Sequence, residues 1–448
     1  MTTLPHAAPP LSRQLSATAD AVLAVTRDGR SLNDVLPRVG AELRPGVQAL
    51  SFHALRWWGS AQALRRALAP RDPPPFVDAL LGTALALMWP DADPPYPVHT
   101  LVDQTVTAAR QRAPASAGFV NAVLRRFTRE ATTLVAAARR DPVGAYNHPA
   151  WWIDRVRRDW PPHWEALLVA ANQHPPMTLR ANARHGSGQD YVRRLAAQGR
   201  TAWCLDDPAF GGQAVVLQAP CPVTQLPGFA EGEVSVQDAS AQRAAPLLLG
   251  DGLAAGARVL DACAAPGGKT AHLLELADLD VLALDVDAQR MQRVRENLQR
   301  LRLQAELKVG DARRPAQWWD GRPFDAILLD APCTASGIVR RHPDVRWLRR
   351  PDDPESLARV QAELLEALWP LLAPGGRLLY ATCSIFRAEG QQQADAFLQR
   401  HAGEATQDLS RSPGHLLPLP DNGAHADGAR PTLVHDGFFY ALFRKAGR

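Results

Sequence analysis

The feature that most constrains this fold is the regular alternation of short apolar runs with amphipathic helical segments from residue 236 onward. Such alternation is typical of βαβ units, whose strands form a parallel sheet covered by helices. Six runs are predicted to be strands: ARVLDAC (257–263), VLALDV (281–286), AELKVG (305–310), FDAILLD (324–330), GRLLYATCS (376–384) and GFFYALFR (437–444). The sequence therefore predicts an α/β domain over residues 236–448.

Two regions of different character precede this domain. Residues 1–140 carry apolar residues at three- and four-residue spacing, which predicts an all-helical bundle of five to seven helices. Residues 141–235 contain proline-rich breaks and short strand-like pieces such as MTLRAN (177–182), which predict a small α+β module. A length of 448 residues suits a division into three domains.

The cysteines and the apolar runs exclude several classes of protein. The five cysteines lie far apart, without the paired spacing of a zinc site, so we expect no metal. A long chain with so few cysteines is not a disulfide scaffold, and free thiols in a reducing compartment are expected. No apolar run approaches the ~20 residues of a membrane span, and the N-terminus lacks a secretory signal. These features predict a cytoplasmic protein without a membrane partner.

The lysine and arginine content is unusual, because all 50 of these residues except Lys269, Lys308 and Lys445 are arginines. Arginine binds phosphates with two parallel hydrogen bonds and stacks on bases, which would suit a nucleic-acid partner. A GC-rich genome would produce the same bias by encoding most cations as arginine. Charge alone does not decide between these two explanations.

The loop DACAAPGGKT (261–270) follows the first predicted strand and precedes a helical pattern. A strand, a glycine-bearing loop and a helix together place a nucleotide-like ligand at the helix N-terminus. The loop is not a P-loop, because Cys263 stands where that motif requires glycine. It does not match G-x-G-x-x-G either.

Three carboxylates follow successive strands of the predicted sheet. Asp285 ends the second strand, Asp311 follows the third and Asp330 ends the fourth. Three negative charges at one sheet edge disfavour a polyphosphate but suit a cationic ligand with ribose hydroxyls, such as S-adenosylmethionine. Each Asp, taken alone, is also a common helix cap after a strand. The group of three favours the ligand site.

Two cysteines, Cys333 and Cys383, follow neighbouring strands at the same predicted edge. In amino-methyltransferases, the fourth strand ends in an Asp/Asn-Pro-Pro-aromatic loop, whereas here a thiol replaces the ring. A thiolate that adds to carbon 6 of cytosine makes carbon 5 nucleophilic enough to accept a methyl group. An isolated cysteine is often only a small buried apolar residue. Two of them beside a methyl-donor site indicate covalent chemistry.

These motifs resemble those of the RNA cytosine-5 methyltransferase family. DACAAPGGKT, LLDAPCTASGIVRRHPD and YATCSI are similar to the donor loop and the two cysteine motifs of that family, in the expected order. The resemblance implies a Rossmann-like methyltransferase domain with a mostly parallel sheet and an antiparallel last strand. The helical region resembles the Nus-type antitermination factor fold, which implies an RNA-binding role for residues 1–140 and for the α+β module.

The resemblance also implies site residues, a cofactor and a partner. Cys383 becomes the nucleophile and Cys333 the residue that helps to release product. The S-adenosylmethionine site becomes Cys263, Ala264, Ala265, Pro266, Gly267, Gly268, Lys269, Asp285, Asp311 and Asp330. The implied substrate is a single-stranded or flipped-out cytosine in 16S ribosomal RNA, methylated by a monomeric enzyme.

Two departures from the family pattern stand next to the cysteines. Thr334 replaces the usual serine and keeps its hydroxyl, and Arg387–Gln393 replaces an acidic PEEN-like stretch. The second departure weakens inferences about contacts just after Cys383.

Two alternative functions are weighed against the methylation of carbon 5. A non-catalytic RNA-binding or assembly factor is expected to have lost Cys383 or the donor loop, and a base-amine methyltransferase is expected to carry an aromatic residue at 333. The sequence favours neither.

Overall fold

The computed structural model describes residues 9–205, 207, 210–420 and 433–447. They form two compact units. The helical unit comprises residues up to His174 together with Val339–Pro351, and the sheet unit comprises Pro175–Ile338 and the residues from Asp352 onward. The first eight residues of the predicted helical domain lie outside the described residues. Of the described helices, none has both the length and the apolar character needed to cross a membrane.

The helical unit is built from short and medium-length helices joined by proline-containing turns. They are α1 (Leu11–Thr26), α2 (Leu32–Val35), α3 (Arg44–Arg56), α4 (Trp58–Leu68), α5 (Pro75–Leu87), α6 (Val98–Arg112), α7 (Ala117–Ala138), α8 (Pro142–Tyr146), α9 (Ala150–Asp159), α10 (Trp164–Ala170) and α16 (Val345–Leu348). The predicted all-helical bundle is confirmed.

Helix α5 forms the centre of this bundle. Its residues from Ala79 to Leu87 are all buried, and it packs against α1, α3, α4, α6 and α7. A helix that is apolar on every side is stable only when other helices surround it. The sequence PFVDALLGTALAL therefore specifies the core position of α5.

The sheet unit begins with a small antiparallel sheet. Its strands are β1 (Thr178–Ala181), β2 (Ala202–Cys204), β3 (Ala214–Leu217) and β4 (Val234–Val236), in the order β2-β3-β1-β4. Helix α11 (Gly188–Ala196) packs on this sheet through Tyr191 and Leu195. The predicted α+β character of this region is confirmed, but the division of the chain at residues 140 and 235 stays a prediction.

The larger sheet follows in the same unit. Its strands are β5 (Ala257–Asp261), β6 (Leu279–Asp285), β7 (Glu306–Val309), β8 (Phe324–Asp330), β9 (Leu372–Thr382), β10 (Ala405–Gln407), β11 (Gly414–Leu416) and β12 (Phe438–Lys445). The helices of this part are α12 (Ala239–Gln242), α13 (Ala244–Leu249), α14 (Gly268–Leu276), α15 (Ala288–Leu301), α17 (Asp353–Leu368) and α18 (Gln391–Arg400).

The strand order of the larger sheet is β10-β12-β9-β8-β5-β6-β7, with β11 paired to β12. Strands β5 to β9 are parallel, whereas β12 is antiparallel to β9. Helices α13, α14 and α15 cover one face, and α17 and α18 cover the other. The predicted Rossmann-like domain with an antiparallel last strand is confirmed.

Strand β5 is the point at which the order of strands reverses. The chain proceeds from β5 to β6 and β7 on one side, and then to β8 and β9 on the other. In open parallel sheets, ligands bind outside the carboxyl ends of the strands at this kind of switch point. The loops after β5, β6, β8 and β9 therefore converge on one edge.

Candidate active site

Seven of the twelve predicted site residues line a cavity of about 340 Å³ at this edge of the sheet. Its lining includes Cys263, Ala265, Asp285, Asp311, Asp330, Cys333 and Cys383. The remaining predicted residues lie in the donor loop or at the start of α14, outside the lining: Ala264, Pro266, Gly267, Gly268 and Lys269. The volume lies within the ~300–1,000 Å³ that is usual for small-molecule sites.

Backbone hydrogen bonds fix the donor loop, which is the segment DACAAPGGKT (261–270), against β6. The Ala264 amide donates to the Leu284 carbonyl oxygen at 2.9 Å, and the Ala265 amide donates to Asp285 Oδ2 at 3.1 Å. Gly267 precedes α14 with φ of +95°, where a Cβ atom would lie 3.1 Å from Val294. A left-handed backbone in close contact with a neighbouring helix explains why glycine occupies this position.

Asp285 is 3% exposed and has its carboxylate held by the backbone. Oδ2 accepts from Ala265, Oδ1 accepts from the Asp287 amide at 3.0 Å, and Arg290 forms an ion pair with Oδ1 at 3.7 Å. A carboxylate has about four acceptor sites, so Asp285 can still accept hydrogen bonds from a ligand. Sequence reasoning missed Arg290, which lines the cavity and donates to the Ala265 carbonyl oxygen at 2.8 Å. Its position in the first turn after β6 was the available signal.

The other two strand-end carboxylates are paired with cations. Arg313 donates to both oxygens of Asp311, and these hydrogen bonds lower the pKa of Asp311. Lys269 Nζ donates to Asp330 Oδ2 at 2.5 Å. Burial would lower the pKa of Lys269, but Asp330 outweighs burial and the pKa is raised, so Lys269 stays charged.

Asp261, at the end of β5, supports the donor loop from behind. It is completely buried, and Thr270 Oγ1 donates to its Oδ2 at 2.6 Å. Burial raises the pKa of Asp261 to about 7. The contact ties the end of β5 to the first turn of α14, and so fixes both ends of the loop between them.

The sulfur atoms of Cys333 and Cys383 are 3.4 Å apart. The hydrogen bond with Cys383, together with burial and the nearby charge of Glu389, raises the pKa of the Cys333 thiol well above its ordinary value. Cys333 therefore keeps its proton at neutral pH and can donate it toward the Cys383 sulfur. Burial likewise raises the pKa of Cys263, which stays a thiol in the wall of the cavity.

Sequence reasoning also missed Glu389, the only acidic residue in the stretch Arg387–Gln393. Its side chain is completely buried beside the residues that follow both cysteines, where it accepts hydrogen bonds from Thr334 and Ser384. A single acidic residue left in an otherwise changed stretch was the available signal. Among the described residues, no group of three or more His, Cys, Asp or Glu could hold a metal ion.

Three family profiles match the chain. They describe the 16S rRNA methyltransferase RsmB/F over residues 252–444, the ferredoxin-like domain of RsmF/B-like methyltransferases over 148–224 and the NusB family over 13–129. A Pseudomonas syringae protein named ribosomal RNA small subunit methyltransferase B is 43% identical over 446 residues, which cover 96% of each chain. This chain belongs to the RsmB/F family.

Solved structures agree with the RsmB/F fold. The crystal structure of PH0851 matches with a TM-score of 0.73 at 23% identity and covers 99% of this chain and 100% of that chain. A methyltransferase homolog from Pyrococcus horikoshii matches with a TM-score of 0.53 at 27% identity, covering 68% of this chain and 98% of that one. The predicted family and the antitermination-factor-like helical region are both confirmed.

Proposed function

We propose that this protein methylates carbon 5 of a cytosine in 16S ribosomal RNA, in the cytoplasm, with S-adenosylmethionine as methyl donor. The observation that carries the proposal is the pair of cysteine sulfurs 3.4 Å apart in the wall of the cavity. The names of the full-length relatives support the small-subunit ribosomal RNA as substrate.

The cavity supports binding of the donor. The Asp285 carboxylate, held by two backbone amides, would accept hydrogen bonds from the ribose hydroxyls. The loop before α14 supplies a helix N-terminus, and Asp311 and Asp330 supply negative charge near a cationic ligand. S-adenosylmethionine, when bound, supplies a methyl group on a cationic sulfur.

The two thiols divide the covalent chemistry between them. Cys383, as thiolate, adds to carbon 6 of the cytosine, and the new S–C bond makes carbon 5 nucleophilic. After methylation, solvent water acts as the base that takes the proton from carbon 5. The C–H electron pair re-forms the double bond between carbons 5 and 6, and the Cys383 sulfur leaves carbon 6 as a thiolate. Cys333, whose raised pKa keeps it protonated, serves the late release of the product.

The base must leave its stack before Cys383 can reach it. A stacked and paired cytosine does not offer carbon 6 to a thiolate, so the substrate is an unpaired or flipped-out nucleotide. The helical unit and the small sheet would bind the surrounding RNA. The rival function, a non-catalytic assembly factor, is disfavoured because the donor loop and both thiols lie around one cavity.

The test compares two cysteine variants with RNA and S-adenosylmethionine on a denaturing gel. Cys383→Ala should abolish methylation and form no covalent complex. Cys333→Ala should attack the base, transfer the methyl group and accumulate as a protein–RNA adduct. An adduct from Cys383→Ala and none from Cys333→Ala would reverse the two roles, and full activity of Cys383→Ala would exclude a covalent mechanism through this residue.

Cys221→Ala is the matched control for these variants. Cys221 lies in the sheet unit but is not part of the cavity lining. We expect it to methylate RNA at the wild-type rate and to form no lasting adduct.

A further inference from the structure

Glu389 lies between the two loops that carry the cysteines. The Cys333 loop follows β8 and the Cys383 loop follows the neighbouring strand β9. Glu389 stands six residues after Cys383, and its side chain is 0% exposed. Burying a carboxylate costs free energy unless protein hydrogen bonds replace those that it made with water. The groups that donate hydrogen bonds to Glu389 therefore show which parts of the chain it holds in place.

On one side, Glu389 holds the residue that follows Cys333. Glu389 Oε1 accepts from the Thr334 amide at 2.8 Å, and Oε2 accepts from Thr334 Oγ1 at 2.5 Å. Gln361 Nε2 donates to Glu389 Oε1 at 3.3 Å and to the Pro332 carbonyl oxygen at 2.9 Å. The residues on both sides of Cys333 are therefore anchored to this carboxylate or to its partner.

On the other side, Glu389 holds the residue that follows Cys383. Ser384 Oγ donates to Glu389 Oε2 at 2.6 Å, and the two hydroxyls of Ser384 and Ser336 are 2.8 Å apart. The Gly337 amide donates to the Cys383 carbonyl oxygen at 2.9 Å. These contacts join the Cys383 loop to the end of the Cys333 loop.

Four donors thus converge on one carboxylate. They are the Thr334 amide and hydroxyl, the Ser384 hydroxyl and the Gln361 amide nitrogen. Only an ionised carboxylate accepts from all four at once, since a glutamine side chain replaces one acceptor oxygen with a donor. Changing Glu389 to glutamine would therefore leave buried donors without an acceptor and loosen both loops together.

We propose that Glu389 is a positioning residue that sets the distance between the Cys333 and Cys383 sulfurs. The inference rests on the proposed covalent mechanism, to which it adds a buried carboxylate that is not part of the cavity lining. It also explains why a hydroxyl is needed at Thr334, because that hydroxyl donates to Glu389. A displacement of about 1 Å in a catalytic group can cost ~100-fold in rate.

The experiment uses the full chain with Glu389→Gln and makes two measurements. The kcat for RNA methylation should fall by roughly 100-fold, while the affinity for S-adenosylmethionine stays within about twofold of wild type. Without RNA, the rate of Cys333–Cys383 disulfide formation under the thiol oxidant diamide, measured by peptide mass mapping, should also fall. A purely structural defect elsewhere would not slow disulfide formation selectively.

Three further substitutions keep the test decisive if Glu389→Gln fails to fold. Thr334→Val removes the hydroxyl with little change in shape and should lose both kcat and disulfide rate, whereas Thr334→Ser should lose less of each. Ser384→Ala should behave like Thr334→Val. Glu366→Gln, which removes a half-exposed carboxylate from α17, is the matched control and should match wild type.

The possible outcomes separate this inference from the proposed function. Wild-type kcat and disulfide rate in folded Glu389→Gln would overturn the positioning role. If the wild-type chain methylates no RNA, the proposed function fails, but the disulfide comparison still tests whether Glu389 sets the distance between the thiols.

Discussion

Asp285, Asp311 and Asp330 occupy equivalent places in the sequence pattern but meet different surroundings. The backbone amides of Ala265 and Asp287 hold Asp285, whereas Arg313 pairs with Asp311 and Lys269 pairs with Asp330. Asp285 also forms an ion pair with Arg290, but this contact is 3.7 Å long, whereas the ion pairs of Asp311 and Asp330 measure 2.9 Å and 2.5 Å, so Asp285 is the least neutralised of the three. We therefore expect Asp285, rather than Asp311 or Asp330, to accept hydrogen bonds from the ribose of a bound donor.

Replacing Asp285 by Ala should weaken S-adenosylmethionine binding by ~1.5–3 kcal/mol, the value of a hydrogen bond to a charged group. Isothermal titration calorimetry of the full chain measures the loss. Asp280→Ala is the control, because Asp280 is exposed at the opposite end of the same strand. Unchanged affinity in a folded Asp285→Ala variant would mean that another group binds the ribose.

At the scale of residues, the sequence predicts the site residues that end a strand or directly follow one. Asp285, Asp330 and Cys383 lie at the sheet edge because the chain leaves a parallel strand there. Glu389 could not be predicted in the same way, since its side chain points back from a later turn toward Thr334. Local sequence gives no distance between segments 55 residues apart.

At the scale of elements, the small sheet is tied to the helix that starts at the donor loop. Arg180 on β1 forms a bidentate ion pair with Glu275 on α14, and both side chains are 1% exposed. Arg180 also donates to the Gly268 carbonyl oxygen at 2.9 Å. The position of α14 therefore depends on a residue outside the predicted methyltransferase domain.

Arg180→Met should destabilise the protein by ~3–5 kcal/mol, because Glu275 is left buried without its cation. The double variant Arg180→Met with Glu275→Leu should recover much of this loss, since neither charge then remains buried. Denaturant unfolding measures the free energy of unfolding of the wild type, the single variant and the double variant. Arg400→Met, which breaks a half-exposed pair with Glu366, should cost less than ~1 kcal/mol. Equal losses in the single and double variants would contradict the argument.

The elements that sequence reasoning predicted are those with a strong periodic signal. The six predicted strands of the larger sheet are present as β5 to β9 and β12. Strands β10 and β11 were not predicted, because each has three residues and pairs only at the edge of the sheet. Three residues are too few to show an alternating pattern, so pairing with β12 decides their conformation.

At the scale of the whole molecule, the helical unit contains a segment from the second half of the chain. Within that unit, Asp344 Oδ2 accepts from the Leu32 amide at 3.0 Å, and Trp347 Nε1 donates to the Leu55 carbonyl oxygen at 2.7 Å. Arg346 is 0% exposed and donates to the carbonyl oxygen of Ala171 at 2.8 Å and to that of Asn147 at 3.1 Å. Residues 339–351 are therefore part of the helical core.

Arg346→Ala should destabilise the helical unit by ~2–5 kcal/mol, because it removes a buried side chain and leaves several acceptors without donors. Arg346→Lys should restore little, since the single nitrogen of an ammonium cannot span the acceptors that two separate nitrogens of the guanidinium reach. Calorimetric melting measures both variants. Arg359→Ala, at an exposed position on α17, is the control. A loss below ~1 kcal/mol for Arg346→Ala would show that the segment is only loosely held.

The place of residues 339–351 also bears on how such a protein can evolve. If two ancestral genes had merely been joined end to end, recombination at the junction could exchange the N-terminal part between relatives without further change. Here the exchange would separate Trp347 and Leu348 from the apolar core on which they pack, and Arg346 from the Asn172 side-chain oxygen that accepts its hydrogen bond at 2.6 Å. Viable hybrids should inherit both stretches from the same parent.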